Sequence, residues 1–123
     1  WEPVHNINEG GWKNKLGWGA VEPNATVTFF ASNTTTTVKK IQLSYLRSYG
    51  SKWDATARFQ LLMKPEEPNS SSILVETFDL DAFHDSNTSI SYTHILDMSK
   101  RPIPPEHTVE LRVDLIRGYS FKI

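Results

Sequence analysis

The densest group of side chains able to do chemistry lies in the stretch DLDAFHD. Asp79 and Asp81 share one side of a strand end, and His84 and Asp85 follow in the next turn. Hard oxygen ligands at such close spacing suit calcium. The stretch lacks the glycine and the terminal glutamate of an EF-hand loop, and Asx-type turn bonds at a solvated strand end explain the same residues. Asp79, Asp81 and Asp85 are therefore kept only as weak calcium candidates, and no other cofactor is implied. As an acid and nucleophile for glycoside hydrolysis the pair is weaker still, because one small sandwich offers little cleft. The four histidines, His5, His84, His94 and His107, are not spaced two or four apart, as a compact metal site on one strand or helix prefers. His94 falls on the apolar side of its segment, where a hydrogen-bonded structural histidine is expected. No Gly-X-Ser-X-Gly elbow, phosphate-binding glycine loop or His-Glu-X-X-His motif occurs. No catalytic residue is assigned, and the chain reads as a non-enzyme.

Aromatic side chains offer the other chemistry. In YLRSYGSKWD, Tyr45 and Tyr49 flank Arg47, and a Gly-Ser turn leads to Trp53 and Asp54. A tryptophan or tyrosine on a loop or sheet face stacks on a sugar ring, while neighbouring polar groups bond its hydroxyls. Trp53, Tyr45, Tyr49, Trp12 and Trp18 are the stacking candidates, with Arg47, Asp54 and Lys52 as polar contacts. Core filling competes with this reading for every tryptophan, Trp1 included. Alternation places Arg47 on the side of Ile41 and Leu43, so its guanidinium must reach the rim or find a carboxylate. Asp54, Asp79 and Asp81 are the expected partners, and Trp53, beyond the turn, is the residue expected to be exposed.

The elements that position these groups are strands. Val109 to Leu115, Ile90 to Met98, Ala25 to Ala31, Ile41 to Tyr45 and Ala57 to Met63 all alternate apolar and polar residues, and 73–80 forms a further β-rich run. Gly10-Gly11, Pro23-Asn24, Gly50-Ser51, Pro65 to Ser72 and Pro102 to Pro105 separate them as turns. No segment carries a helical stripe. Seven or eight antiparallel strands in an all-β sandwich or jelly roll are expected, as one domain over 1–123 with an N-terminal arm at 1–14.

Composition bounds the rest. The 123 residues suffice for one modest core, and a net charge of −1 without a basic run gives nucleic-acid binding no support. No apolar stretch is long enough to enter and span a bilayer. The absence of cysteine removes disulfides, thiolate catalysis and zinc–thiolate sites. Of seven asparagines, four open Asn-X-Ser/Thr sequons, at Asn24, Asn33, Asn69 and Asn87, all in turn-like stretches. That clustering implies N-glycosylation and a secreted or cell-surface location. The chain starts at Trp1 with neither initiator Met nor leader, as expected of a piece of a larger secreted protein.

Three stretches, GGWKNKLGWGAVEPNATVTF, IQLSYLRSYGSKWDATARFQL and the closing GYSFKI, occur in an order that resembles the C-terminal β-domain of plant and algal secreted proteins with an SGNH/GDSL-like esterase part. The resemblance covers about Gly11 to Ile123. It implies an accessory sandwich on a secreted glycoprotein. Cysteines and a Glu-X-Met-Gly turn, frequent in those relatives, are missing here, and so is the esterase part, so hydrolase activity does not carry over. The expected function is a non-catalytic module that binds polysaccharide or glycan in a cell wall. The alternative is a structural domain that packs on a neighbouring domain of the same chain or on a partner chain.

Overall fold

A computed structural model describes residues 1–4 and 17–123, and it is all-β. The described residues form nine strands, in chain order β1 (Glu2–Val4), β2 (Gly17–Ala20), β3 (Thr26–Ala31), β4 (Lys40–Arg47), β5 (Thr56–Pro65), β6 (Ile73–Asp81), β7 (Ile90–Asp97), β8 (His107–Arg117) and β9 (Phe121–Lys122). A 3-10 turn, Ser51–Trp53, sits between β4 and β5. Every strand pairing is antiparallel. Among the described residues no helix is long and apolar enough to cross a membrane.

The strands form a sandwich. One layer is the four-stranded sheet β3-β8-β5-β6; the other combines β1-β2-β9 with the pair β4-β7. Aromatic contacts fix which strands face each other. Trp18 of β2 meets Phe29 of β3, Phe121 of β9 meets Phe59 of β5, and His94 of β7 stacks on Phe78 of β6 at 4.5 Å. His94 lies on the core side, as its position in the alternation suggested, but among the described residues it is held by this stack rather than by the expected hydrogen bond.

Alternation decides which side chains enter the core. Ala57, Phe59 and Leu61 of β5 and Val109, Val113 and Leu115 of β8 point inward and are buried. Fully burying such a side chain stabilises the fold by about 1.5–3 kcal/mol. The core has an aromatic half around Phe59, Tyr45 and Phe121, and an aliphatic half around Leu61, Leu96, Met98 and Ile103. Ile103, fully buried between prolines, anchors its loop by paired backbone bonds with Val38 of 2.9 and 3.0 Å.

Of the N-terminal arm expected at 1–14, residues 5–14 lie outside the described residues; at its start β1 pairs with β2, and the Trp1 Nε1–H donates to the Ala25 carbonyl at 3.0 Å while its ring packs edge-on against Phe121. The all-β sandwich of seven or eight antiparallel strands is as expected; among the described residues β1 and β9, three and two residues long, are too short to show an alternation of their own.

Candidate functional site

One end of the sandwich gathers three segments that are far apart in sequence. Residues 48–55 connect β4 to β5, residues 82–89 connect β6 to β7, and 118–120 connect β8 to β9. Backbone bonds knit them: Ser48 N–H to Ala82 at 2.8 Å, His84 N–H to Ser48 at 3.0 Å, and Ala82 N–H to Ala55 at 2.9 Å. The Asp54 carboxylate accepts the Tyr119 N–H at 3.2 Å. Gly118, at φ 76°, makes that approach possible, since a Cβ there would lie 2.6 Å from the Ala55 backbone and from Asp54 Oδ1.

Alternation put Tyr45 and Arg47 on the inner side of β4, and the structure shows what each meets. Tyr45 is only 9% exposed. Its ring stacks on Phe121 at 5.9 Å and lies 6.0 Å from Tyr92, so no ring face is left for a sugar. Burial pushes its phenol pKa up, against a smaller opposing effect of the Arg47 charge. Among the described residues Arg47 pairs with no carboxylate. Its Nε and Nη2 donate to the Phe83 carbonyl at 3.1 and 2.5 Å, and its Cζ lies 4.8 Å from the Tyr92 ring centroid. The expected aspartate partners are engaged elsewhere. Asp54 caps the Tyr119 turn, Asp79 binds Arg58 with two bonds of 3.0 and 3.1 Å, and Asp81 accepts the Thr56 hydroxyl at 2.6 Å.

Trp53 is half-buried and packs on the aromatic core, because the 3-10 turn folds it back over the sandwich end. It is not the freely exposed ring expected from its place beyond the turn. Trp18 is partly exposed and packs over Phe29 of β3. Trp12 lies outside the described residues. Tyr49 alone of the predicted aromatics on this end is well exposed, at 49%.

Tyr119, 60% exposed, joins it on the same end. The residue was missed because it follows Arg117-Gly118, where alternation breaks and no face is predicted. Beside it lies a shallow, open depression of about 470 Å³ lined by Thr56, Asp79, Asp81, Ile116 and Arg117. Arg117 Nη2 donates to Thr56 Oγ1 at 2.9 Å and sits 3.8 Å from Asp81 Oδ1, so the hydroxyl relays the guanidinium to the carboxylate. Arg58 holds the Asp79 carboxyl below its ordinary pKa. These bonds occupy Asp79 and Asp81 with arginines rather than turning them toward Asp85. Among the described residues no three His, Cys, Asp or Glu side chains gather as a metal site.

His84 is a structural group as well. It is buried, its Nε2–H donates to the Thr88 carbonyl, and its ring stands edge-on to Tyr92. The four sequon asparagines are all exposed and lie in turns: Asn24 and Asn87 at this end, Asn33 and Asn69 at the other. Asn24, Asn33 and Asn69 have φ of 64°, 50° and 64°. Asparagine tolerates this left-handed region better than most residues, which gives these three positions a conformational reason as well.

Comparison of the chain with protein-family models, with curated proteins and with solved structures finds no match.

Proposed function

We propose that the chain is a non-catalytic accessory module of a secreted or cell-surface glycoprotein, and that it binds carbohydrate at the end of the sandwich that carries Tyr49 and Tyr119. The observation behind this reading is that two well-exposed tyrosines share an end with a shallow depression lined by Thr56, Asp79, Asp81 and Arg117. Tyrosine faces suit the apolar side of a pyranose, and the carboxylates and guanidinium suit its hydroxyls. The end is held rigid by Asp54, Gly118 and the Arg47–Phe83 bond, so little ordering is needed on binding. The two carboxylates nearest an acid–base arrangement are tied to Arg58, Thr56 and Arg117, which favours binding over hydrolysis. Four exposed sequon asparagines and the resemblance to an accessory sandwich support the secreted setting.

A glycan array probed with the chain tests the reading. Binding to a defined set of plant or algal oligosaccharides is the expected result. An array on which every spot stays at background rejects it.

A second reading, a domain that packs on a neighbour or partner chain, is favoured by one feature. Phe30, Leu62 and Leu74 stand in one cross-strand row on the outer face of the four-stranded sheet, interrupted by Glu110.

A further inference from the structure

Phe30 is the most exposed large apolar residue described, at 71%. Its neighbour Phe29 turns inward beneath Trp18, so alternation forces Phe30 onto the outer sheet face. Three residues later the chain leaves β3 and reaches the sequon Asn33-Thr34-Thr35. The backbone there is pinned on both sides. Asn33 N–H donates to Glu66 Oε1 at 2.8 Å, Thr34 N–H donates to the His107 carbonyl at 3.1 Å, and Glu106 N–H donates to the Thr34 carbonyl at 2.7 Å. Asn33 and Thr35 are nonetheless exposed. We infer that Phe30 is the seat of a glycan carried by Asn33, whose first N-acetylglucosamine lies on the phenyl ring.

The inference rests on the glycoprotein reading and adds where one glycan packs. Three residues span at most about 10 Å, which an asparagine side chain and its first sugars can bridge. A pyranose offers a face of C–H groups, and the phenyl face is electron-rich, so the two stack. No other sequon has an exposed aromatic ring at this spacing. At the same spacing Asn24 is preceded by Val21, Asn69 by Glu66, and Asn87 by the buried His84. Attachment itself is ordinary glycosyl transfer. The Asn33 Nδ2 forms a bond to C1 of the sugar and loses a proton. The bond from C1 to the phosphate oxygen of a lipid diphosphate donor breaks, and the lipid diphosphate leaves with the electron pair.

The test is to secrete the chain from eukaryotic cells, map occupancy by peptide mass spectrometry, and measure unfolding by denaturant. Asn33 should carry a glycan, and Asn33→Gln should raise the unfolding equilibrium constant about two- to tenfold. Trimming with an endoglycosidase that leaves one sugar should keep the stabilisation. In a Phe30→Thr background the effect of Asn33→Gln should shrink to the backbone cost of replacing an asparagine at φ 50°, and Asn69→Gln, at φ 64°, should show only that kind of cost, equal in both backgrounds. Phe30 is surface-exposed, so its replacement leaves the fold intact, and the trimming arm needs no substitution. A bare Asn33 beside occupied sequons overturns the inference alone, as does an Asn33 effect of undiminished size without Phe30. A doubled mass in sedimentation that Phe30→Thr abolishes assigns the ring to a second copy and also overturns it. If all four sequons are bare, the glycoprotein reading falls and takes the inference with it.

Discussion

Arg47 and Tyr92 face each other across the paired strands β4 and β7, with the guanidinium carbon 4.8 Å from the ring centroid, while the same guanidinium holds the Phe83 carbonyl. One side chain thus joins a strand, the ring of its neighbour and the loop that follows β6. The arrangement makes Arg47 an anchor of the sandwich end and commits its Nε and Nη2 to the Phe83 carbonyl.

Replacing Arg47 by alanine should therefore destabilise the fold by about 1–3 kcal/mol, from the lost charge-assisted bond and the uncovered ring. Arg47→Lys should recover only part, because an ammonium lacks the planar fork. Urea unfolding reads both. A variant of unchanged stability that no longer binds sugar would instead make Arg47 a ligand contact.

Gly50 and Gly118, both at positive φ, should respond differently to alanine. At Gly50, φ 87°, a Cβ meets nothing within 4 Å, so only the backbone conformation opposes it, at about 1–3 kcal/mol. At Gly118 the same kind of conformational cost is joined by contacts of 2.6 Å with Ala55 and Asp54. Gly118→Ala should be the more damaging, and thermal unfolding of the two variants side by side checks the order.

Much of this layout was legible in the residues, and the exceptions have physical reasons. The inward placement of Tyr45, Phe59, Val113 and Leu115 follows directly from period-two alternation, as does the outward placement of Phe30 next to Phe29. The partner of Arg47 was not legible, because every residue has a backbone carbonyl and the one used belongs to a loop 36 positions away. Trp53 was expected outside because it lies beyond a turn, but that turn is a 3-10 coil that returns the ring to the core. Tyr119 carried no signal, since its exposure depends on the Asp54–Gly118 contact between distant segments.

Stability should fall at high pH through Tyr45. Burial raises its pKa in the folded state, so the neutral phenol is favoured there. The contribution is complete below the unfolded value near 10 and is lost as pH rises through the higher folded value. Tyr45→Phe, which keeps the ring stack on Phe121, should flatten the alkaline limb of a denaturation profile without changing the neutral region much.

Glu66 should shape the acid limb in the opposite sense. The Thr108 hydroxyl, and after it the Asn33 N–H, hold its carboxyl below the ordinary value of 4.5. Its contribution is present above that value and is lost as pH falls through the lower folded one. Glu66→Gln should make stability less dependent on pH in that acid window, measured by the same unfolding assay.

The central claim, that the end bearing Tyr49 and Tyr119 binds carbohydrate, is tested most directly by affinity electrophoresis through gels cast with plant and algal polysaccharides. The wild-type chain should be retarded by at least one polysaccharide. The Tyr49→Ala, Tyr119→Ala double variant should migrate as in a gel without sugar, a loss of at least about tenfold in affinity for two stacked rings, while keeping wild-type stability. Unretarded wild type, or equal retardation of both proteins, would contradict the account.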